Sequence, residues 1–111
     1  MTDYRLTVDA ENDLREIARY TRKEWGQAMF QEYRTGLRKT FEAIGKHQVL
    51  SRSFSDIHPE LLVTKFKHHF IFYLTDSIDS ADSTDIAGIP TIIGIIHERR
   101  NIVARLSERL S

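Results

Sequence analysis

The side chains best suited to chemistry in this sequence are basic or proton-transferring, and most lie in its second half: Arg52, Lys65, Lys67, His68, His69, Tyr73, His97, Arg99 and Arg100. A site that cleaves RNA without a metal must activate a 2′-hydroxyl, stabilise charge developing on the phosphate and protonate the leaving oxygen. Lys and Arg can stabilise the charge and His or Tyr can move the protons, so residue type alone permits a ribonuclease. Each candidate also has a plainer reading. Lys65 and Lys67 alternate as the solvated side of a half-buried strand would. His68 and His69 open a strand, so one points inward, as a hydrogen-bonded structural histidine, and the other outward. Tyr73 sits in the apolar run FIFYL and suits a core tyrosine with its hydroxyl at an edge. His97, Arg99 and Arg100 fall where a strand gives way to a helix, a place where side chains and free amides can converge on an anion.

Other chemistries find less support. The five histidines and sixteen carboxylates show no H-E-x-x-H or comparable ligand spacing, and the neighbours His68 and His69 would point to opposite faces of a strand. Neither a metal nor a cofactor is expected. There is no Gly-rich phosphate loop and no nucleophile elbow. The absence of cysteine excludes disulfides, thiolate metal sites and a cysteine nucleophile. Sixteen basic and sixteen acidic residues cancel, so any polyanion site must be a local patch. Asp76, Asp79, Asp82 and Asp85 crowd one polar stretch, where their acidity reads as solvation. No apolar run approaches the roughly 20 residues that cross a bilayer. The start, MTDYRLTVDA, is too polar for a signal peptide, so a cytoplasmic location is expected and no membrane partner.

The elements that must position these side chains follow from periodicity. Tyr4, Leu6 and Val8 alternate with Arg5 and Thr7 as in a short strand. Asp9 offers an N-cap, and Ala10, Leu14, Ile17, Ala18, Thr21 and Trp25 recur on one helical face that Gly26 stops. Phe30, Tyr33, Leu37, Phe41 and Ile44 mark a second helix ending near Gly45; Gly36 inside it suggests a close helix contact. Two helices joined at one glycine make an antiparallel hairpin. Residues 46–60 read as a loop with room for one helical turn. LLVTKF (61–66) and HHFIFYLT (68–75) read as a tight β-hairpin, and TIIGIIH (91–97) as a third strand. The stretch 76–90 between them reads as a flexible, protruding loop. Ile102, Val103, Leu106 and Leu110 share the face of a short closing helix. The order implies one α+β domain over residues 1–111, with the helical hairpin on one face of a curved, mainly antiparallel sheet. Its aromatic stripe would bury Phe70, Phe72, Ile93 and Ile95.

At this level of detail the chain resembles a known group. YRLTVDAENDLREIARYTRKEWG is similar to the opening of ParE-type toxins, the likeness carried by Asp13, Leu14, Ile17, Tyr20, Thr21, Trp25 and Gly26. SRSFSDIHPEL resembles their Gly-Arg segment, HHFIFYLT their His-x-Ile-hydrophobic-Tyr strand, and GIIHERRNIVARL their closing Leu-His-x-Arg segment. In the same order over nearly the whole chain, these pieces resemble the RelE/ParE toxin superfamily, on its ParE branch. Two departures stand out: Ser51 replaces the usual glycine before Arg52, and the connection 76–90 is longer and more acidic.

The resemblance implies the toxin of a type II toxin-antitoxin pair, neutralised by a cognate antitoxin that is amphipathic or partly disordered and folds as it binds. ParE-like members poison DNA gyrase, whereas RelE-like members cut messenger RNA on the ribosome. The lack of a dense basic surface and the ParE-like segments favour a gyrase inhibitor rather than an enzyme. One alternative is a metal-independent, ribosome-dependent endoribonuclease built on Arg52, Lys65, Tyr73, His97 and Arg99. Another is a non-toxic antitoxin-binding module that serves operon control. Carried over by position, His97, Arg99, Arg100 and Arg105 would contact the target. Trp25, Tyr33 and Phe41 would be partly exposed to the antitoxin, although their helical spacing also suits a core. Operator DNA would be reached only through the antitoxin complex.

Overall fold

The computed structural model describes residues 4–75 and 89–110. In chain order they form β1 (Arg5–Leu6), α1 (Val8–Gly45), β2 (Arg52–Ser53), β3 (Leu61–Phe66), β4 (His69–Leu74), β5 (Thr91–His97) and α2 (Ile102–Leu110). The strands make one sheet in the order β1-β5-β4-β3-β2. β1 runs parallel to β5 and every other pairing is antiparallel. This is the α+β arrangement that the periodicity predicts. The expectation of a flexible connection falls, over residues 76–88, outside the described residues.

Thr7, not Asp9, starts α1. Its hydroxyl accepts a hydrogen bond from Ala10 N at 3.1 Å while its own N–H donates to Ile92 O at 3.1 Å. One residue therefore closes the strand and caps the helix. Val8, which the alternation places in the strand, is instead the first helical residue and is exposed. Asp9 lies with Glu11 in the first turn, where a negative charge suits the helix dipole.

Gly26 has φ 91° and ψ 171°, a conformation essentially restricted to glycine, and it breaks α1 into two arms, 8–25 and 27–45. The arms fold back so that Leu14 and Ile17 of the first share a cluster with Tyr33, Leu37 and Phe41 of the second. Gly36 makes room for a strand side chain rather than for a helix: a Cβ there would lie 2.3 Å from the Phe66 ring.

The sheet is covered on both faces. The arms of α1 pack on Ile71, Tyr73, Ile92 and Ile95, while α2 and the segment holding Phe54 and Ile57 pack on Leu61, Val63, Phe72, Ile93 and Ile96. Of the four residues expected beneath the helical hairpin, only Ile95 is there; Phe70, Phe72 and Ile93 face α2. A bulge explains part of this. Phe72 pairs with Gly94 but Tyr73 with Ile92, leaving Ile93 as an extra residue. Simple alternation would put Ile93 and Ile95 on one face, and one extra residue reverses that.

β1 pairs with β5 only as far as Ile92, so β5 runs on without a strand on that side. Asp13 and Arg109 take the strand's place. Ile95 N donates to Asp13 Oδ2 at 2.9 Å, and Arg109 Nη1 donates to Ile93 O at 3.1 Å. Arg109 also grips Asp13 with both terminal nitrogens, at 2.8 and 2.9 Å. The guanidinium lies so close to the strand that a Cβ on Gly94 would meet it at 2.5 Å.

Residues 46–60, expected to be a loop, contribute β2, whose Arg52 and Ser53 pair with Val63 and Leu62. Two residues are too few to show an alternation in sequence. Replacing Gly26 with Ala adds no steric contact, since nothing lies within 4 Å of the new Cβ, but forces a side-chain-bearing residue into glycine's region. Urea unfolding of Gly26→Ala should show a loss of about 1–3 kcal/mol. Unchanged stability would mean that the kink relaxes without cost.

Candidate functional site

The polar side chains that the sequence singles out meet at one end of the sheet. β3 and β4 are joined through Lys67 and His68, with Lys67 in the left-handed region at φ 54°. Across the next ladder His69 pairs with His97, and their rings meet edge to face with centroids 5.1 Å apart. His68 stacks on the same His97 ring at 6.2 Å. Past the end of β5, Glu98 N donates to His68 O at 2.9 Å, which fastens the strand end to the turn.

The Glu98 carboxylate lies between Lys65 Nζ, 2.8 Å from Oε1, and His68 Nδ1, 3.0 Å from Oε2. Hydrogen bonds from Lys65 and then His68 hold its carboxyl well below the usual range, at about 2. His97 Nδ1 accepts from Arg99 N at 3.1 Å and His97 O from Arg100 N at 3.0 Å, a tight turn that leaves both arginines exposed. Asn101 then caps α2, its Oδ1 accepting from Ala104 N at 3.2 Å.

His69 is the inward member of the histidine pair. Its Nδ1 lies 2.5 Å from Tyr33 Oη, and the Tyr33 ring packs on Phe66 with centroids 5.1 Å apart. Burial, reinforced by His97 and His68, lowers the His69 imidazole to about 4; burial and the Glu98 charge push the Tyr33 phenol up to about 12. Both groups are neutral at physiological pH, as a half-buried hydrogen-bonded pair favours.

Lys65, His97 and Arg99 thus lie in one region, together with Lys67, His68, His69 and Arg100. Tyr73 and Arg52 do not join them. Tyr73 is 5% exposed beneath α1 and hydrogen-bonds the Ser51 hydroxyl, four residues along β4 from His69, or about 13 Å. Arg52 is exposed on the two-residue edge strand β2, opposite Val63. Arg105 is partly buried on α2.

A second feature lies between the arms of α1, a cleft of about 240 Å³ lined by Leu14, Ile17, Phe30, Tyr33, Leu37 and Phe41 among others. Trp25 stands 65% exposed beside the Gly26 kink, with Tyr20 and Met29 also exposed. Tyr33 is half-buried. Phe41, expected to be partly exposed, is 4% exposed on the cleft floor against Tyr4, with ring centroids 5.6 Å apart. Tyr4, just before β1, covers it.

The sequence matches a known family over nearly the whole chain. A family model described as ParE toxin of type II toxin-antitoxin system, parDE, matches residues 4–102. The chain belongs to the ParE toxin family. It is also 35% identical over 111 residues to the Toxin ParE of Escherichia coli, a match covering 99% of this chain and 98% of that protein. The ParE-like resemblance of the ordered segments is borne out by these matches.

In this ParE-family chain, Ser51 supplies the hydroxyl that satisfies the buried phenol of Tyr73. Sequence reading also passed over Glu98, although its position as a lone acid within HERR was a visible signal. Among the described residues no group of three His, Asp or Glu side chains could hold a metal ion, and no helix is long and apolar enough to cross a membrane.

The half-buried imidazole of His69 makes stability depend on pH. Between pH 6.5 and about 4 the unfolded chain takes up a proton at residue 69 that the folded chain excludes. Stability is therefore full above that window and falls as pH drops through it. Urea midpoints at about pH 7 and about pH 5 should differ more for the parent chain than for His69→Gln. An equal drop in both would show that another group is responsible.

Proposed function

We propose that this ParE-family toxin inhibits DNA gyrase, presenting His97, Arg99, Arg100 and Arg105 to its target. The observation that carries this reading is the tight turn at His97, which projects Arg99 and Arg100 into solvent while their backbone N–H groups remain tied to that residue. Exposed arginines held on a rigid strand end suit recognition of a protein surface. The residues an RNA-cleaving site would need are divided. Tyr73 is buried and bonded to Ser51, Arg52 stands on the far edge strand, and Lys65 is paired with Glu98. Membership in the ParE toxin family supports the toxin role within this reading.

In this reading a cognate antitoxin folds into the cleft of α1, against Tyr33 and the exposed Trp25, with Phe41 forming the floor. The toxin acts in the cytoplasm and reaches operator DNA only through the antitoxin complex. Purified chain added to gyrase should stop supercoiling and accumulate cleaved DNA. Arg99→Ala with Arg100→Ala should require about tenfold more protein for the same effect, the scale of roughly 1.4 kcal/mol of lost contact. Unaltered supercoiling at excess toxin, with messages cut during toxin expression, would replace this reading with a ribonuclease.

A further inference from the structure

Residues 65–69 and 97–100 hold Lys65, Lys67, Arg99, Arg100 and three histidines, with Glu98 as their one acid. That acid does not simply face solvent. Each carboxylate oxygen takes a different partner, Lys65 Nζ at 2.8 Å and His68 Nδ1 at 3.0 Å. Each partner has a further contact. The Lys65 ammonium lies 5.2 Å from the Phe70 ring centroid, His68 stacks on His97, and the Glu98 backbone is fastened to His68 O. Two nitrogen groups placed on either side of a two-oxygen acceptor are also what would hold the non-bridging oxygens of a phosphodiester.

We propose that Glu98 is a specificity-determining residue: its carboxylate occupies, from within the chain, an anion site formed by Lys65 and His68, and so denies this end of the sheet to the phosphates of RNA. This rests on the protein-targeting reading above, because it explains how a ParE-family chain carries a basic sheet end without engaging nucleic acid. A phosphate entering the site must displace a carboxylate tethered next to it, whose effective local concentration far exceeds that of a free competitor. The carboxylate is ionised throughout the physiological range, so the occupant is always charged. Arg99 and Arg100, outside the pair, stay available to a protein target.

An exposed ion pair of this kind contributes little to stability, so removing Glu98 should leave the fold intact, which circular dichroism checks. Binding of the full chain to a labelled single-stranded RNA oligonucleotide can be followed by fluorescence anisotropy at low salt. Glu98→Ala should bind about tenfold more tightly than the parent, the scale of one charge-assisted contact regained. Glu24→Ala, which removes the same charge from an exposed helical position, should bind as the parent does. Adding Lys65→Met and His68→Gln to Glu98→Ala should return binding to the parent level. The proposal is overturned if Glu98→Ala binds no better than Glu24→Ala, or if its gain survives loss of Lys65 and His68. Supercoiling assays on the parent chain separate the two readings. Inhibition without an RNA-binding gain removes the anion site alone, and a gain without inhibition removes the gyrase reading alone.

Discussion

Asp13 and Arg109 lie 96 residues apart in sequence and meet in a bidentate ion pair between the helices and the sheet. Their side chains are 11% and 14% exposed, so each charge depends on the other and on the backbone groups around them, and Arg109 also has the Asp9 carboxylate 3.9 Å from its Nε. Those groups are supplied by β5. Its Ile95 N–H and Ile93 carbonyl, beyond the reach of the two-residue β1, find their partners in the carboxylate and the guanidinium. Hydrogen bonding to Asp13 raises the already high basicity of Arg109, so the guanidinium stays charged. A buried charge whose partner is removed is left uncompensated, which makes each member costly to lose alone.

Much of the architecture follows from this contact. It satisfies β5 where Ile93 is the extra residue of the bulge, and that bulge sends Ile92 and Ile95 toward α1 but Ile93 and Ile96 toward α2. It anchors α2 by its last turn, while Leu106 fixes the middle of the helix in the second core. With both ends of β5 and α2 held, the intervening turn presents Arg99 and Arg100 from a fixed frame. On the other face, Tyr33 belongs both to the cleft between the arms of α1 and to the His69 contact. The cleft and the histidine cluster are therefore joined through one side chain.

What the sequence made legible was local. The bounds of β3 and β5, the amphipathic α2 and the break at Gly26 all follow from short-range periodicity or from one residue's conformational needs. The pairing of histidines into an inward and an outward member was readable for the same reason. Thr7 was missed as a cap because the strand alternation continues formally through Val8, and only pairing with β5 ends it. β2 was invisible because two residues carry no period. Phe41 looked available to a partner because helical spacing shows which residues share a face, not what returns to cover it. The faces of Phe72 and Ile93 could not be read without the bulge, which exists only once two strands are paired. Asp13 was noted within a motif, but its partner could be found only in three dimensions. At the sheet end, residue types picked out Lys65, Lys67, three histidines and Arg99 and Arg100, which the fold brings together, but added Arg52, which lies on the edge strand, and overlooked the acid placed among them.

The most direct test of the Asp13–Arg109 constraint is a double-mutant cycle measured by urea unfolding of the parent, Asp13→Ala, Arg109→Ala and the double variant. Arg109→Ala should cost about 3–5 kcal/mol, because it strands the Asp13 carboxylate, and Asp13→Ala somewhat less, because Asp9 stays 3.9 Å from the guanidinium. The double should cost less than the sum by more than about 2 kcal/mol, since neither charge is then left behind. Additivity within about 0.5 kcal/mol would contradict the account, showing that the two residues act independently and that the β5 bulge and α2 are held by packing alone.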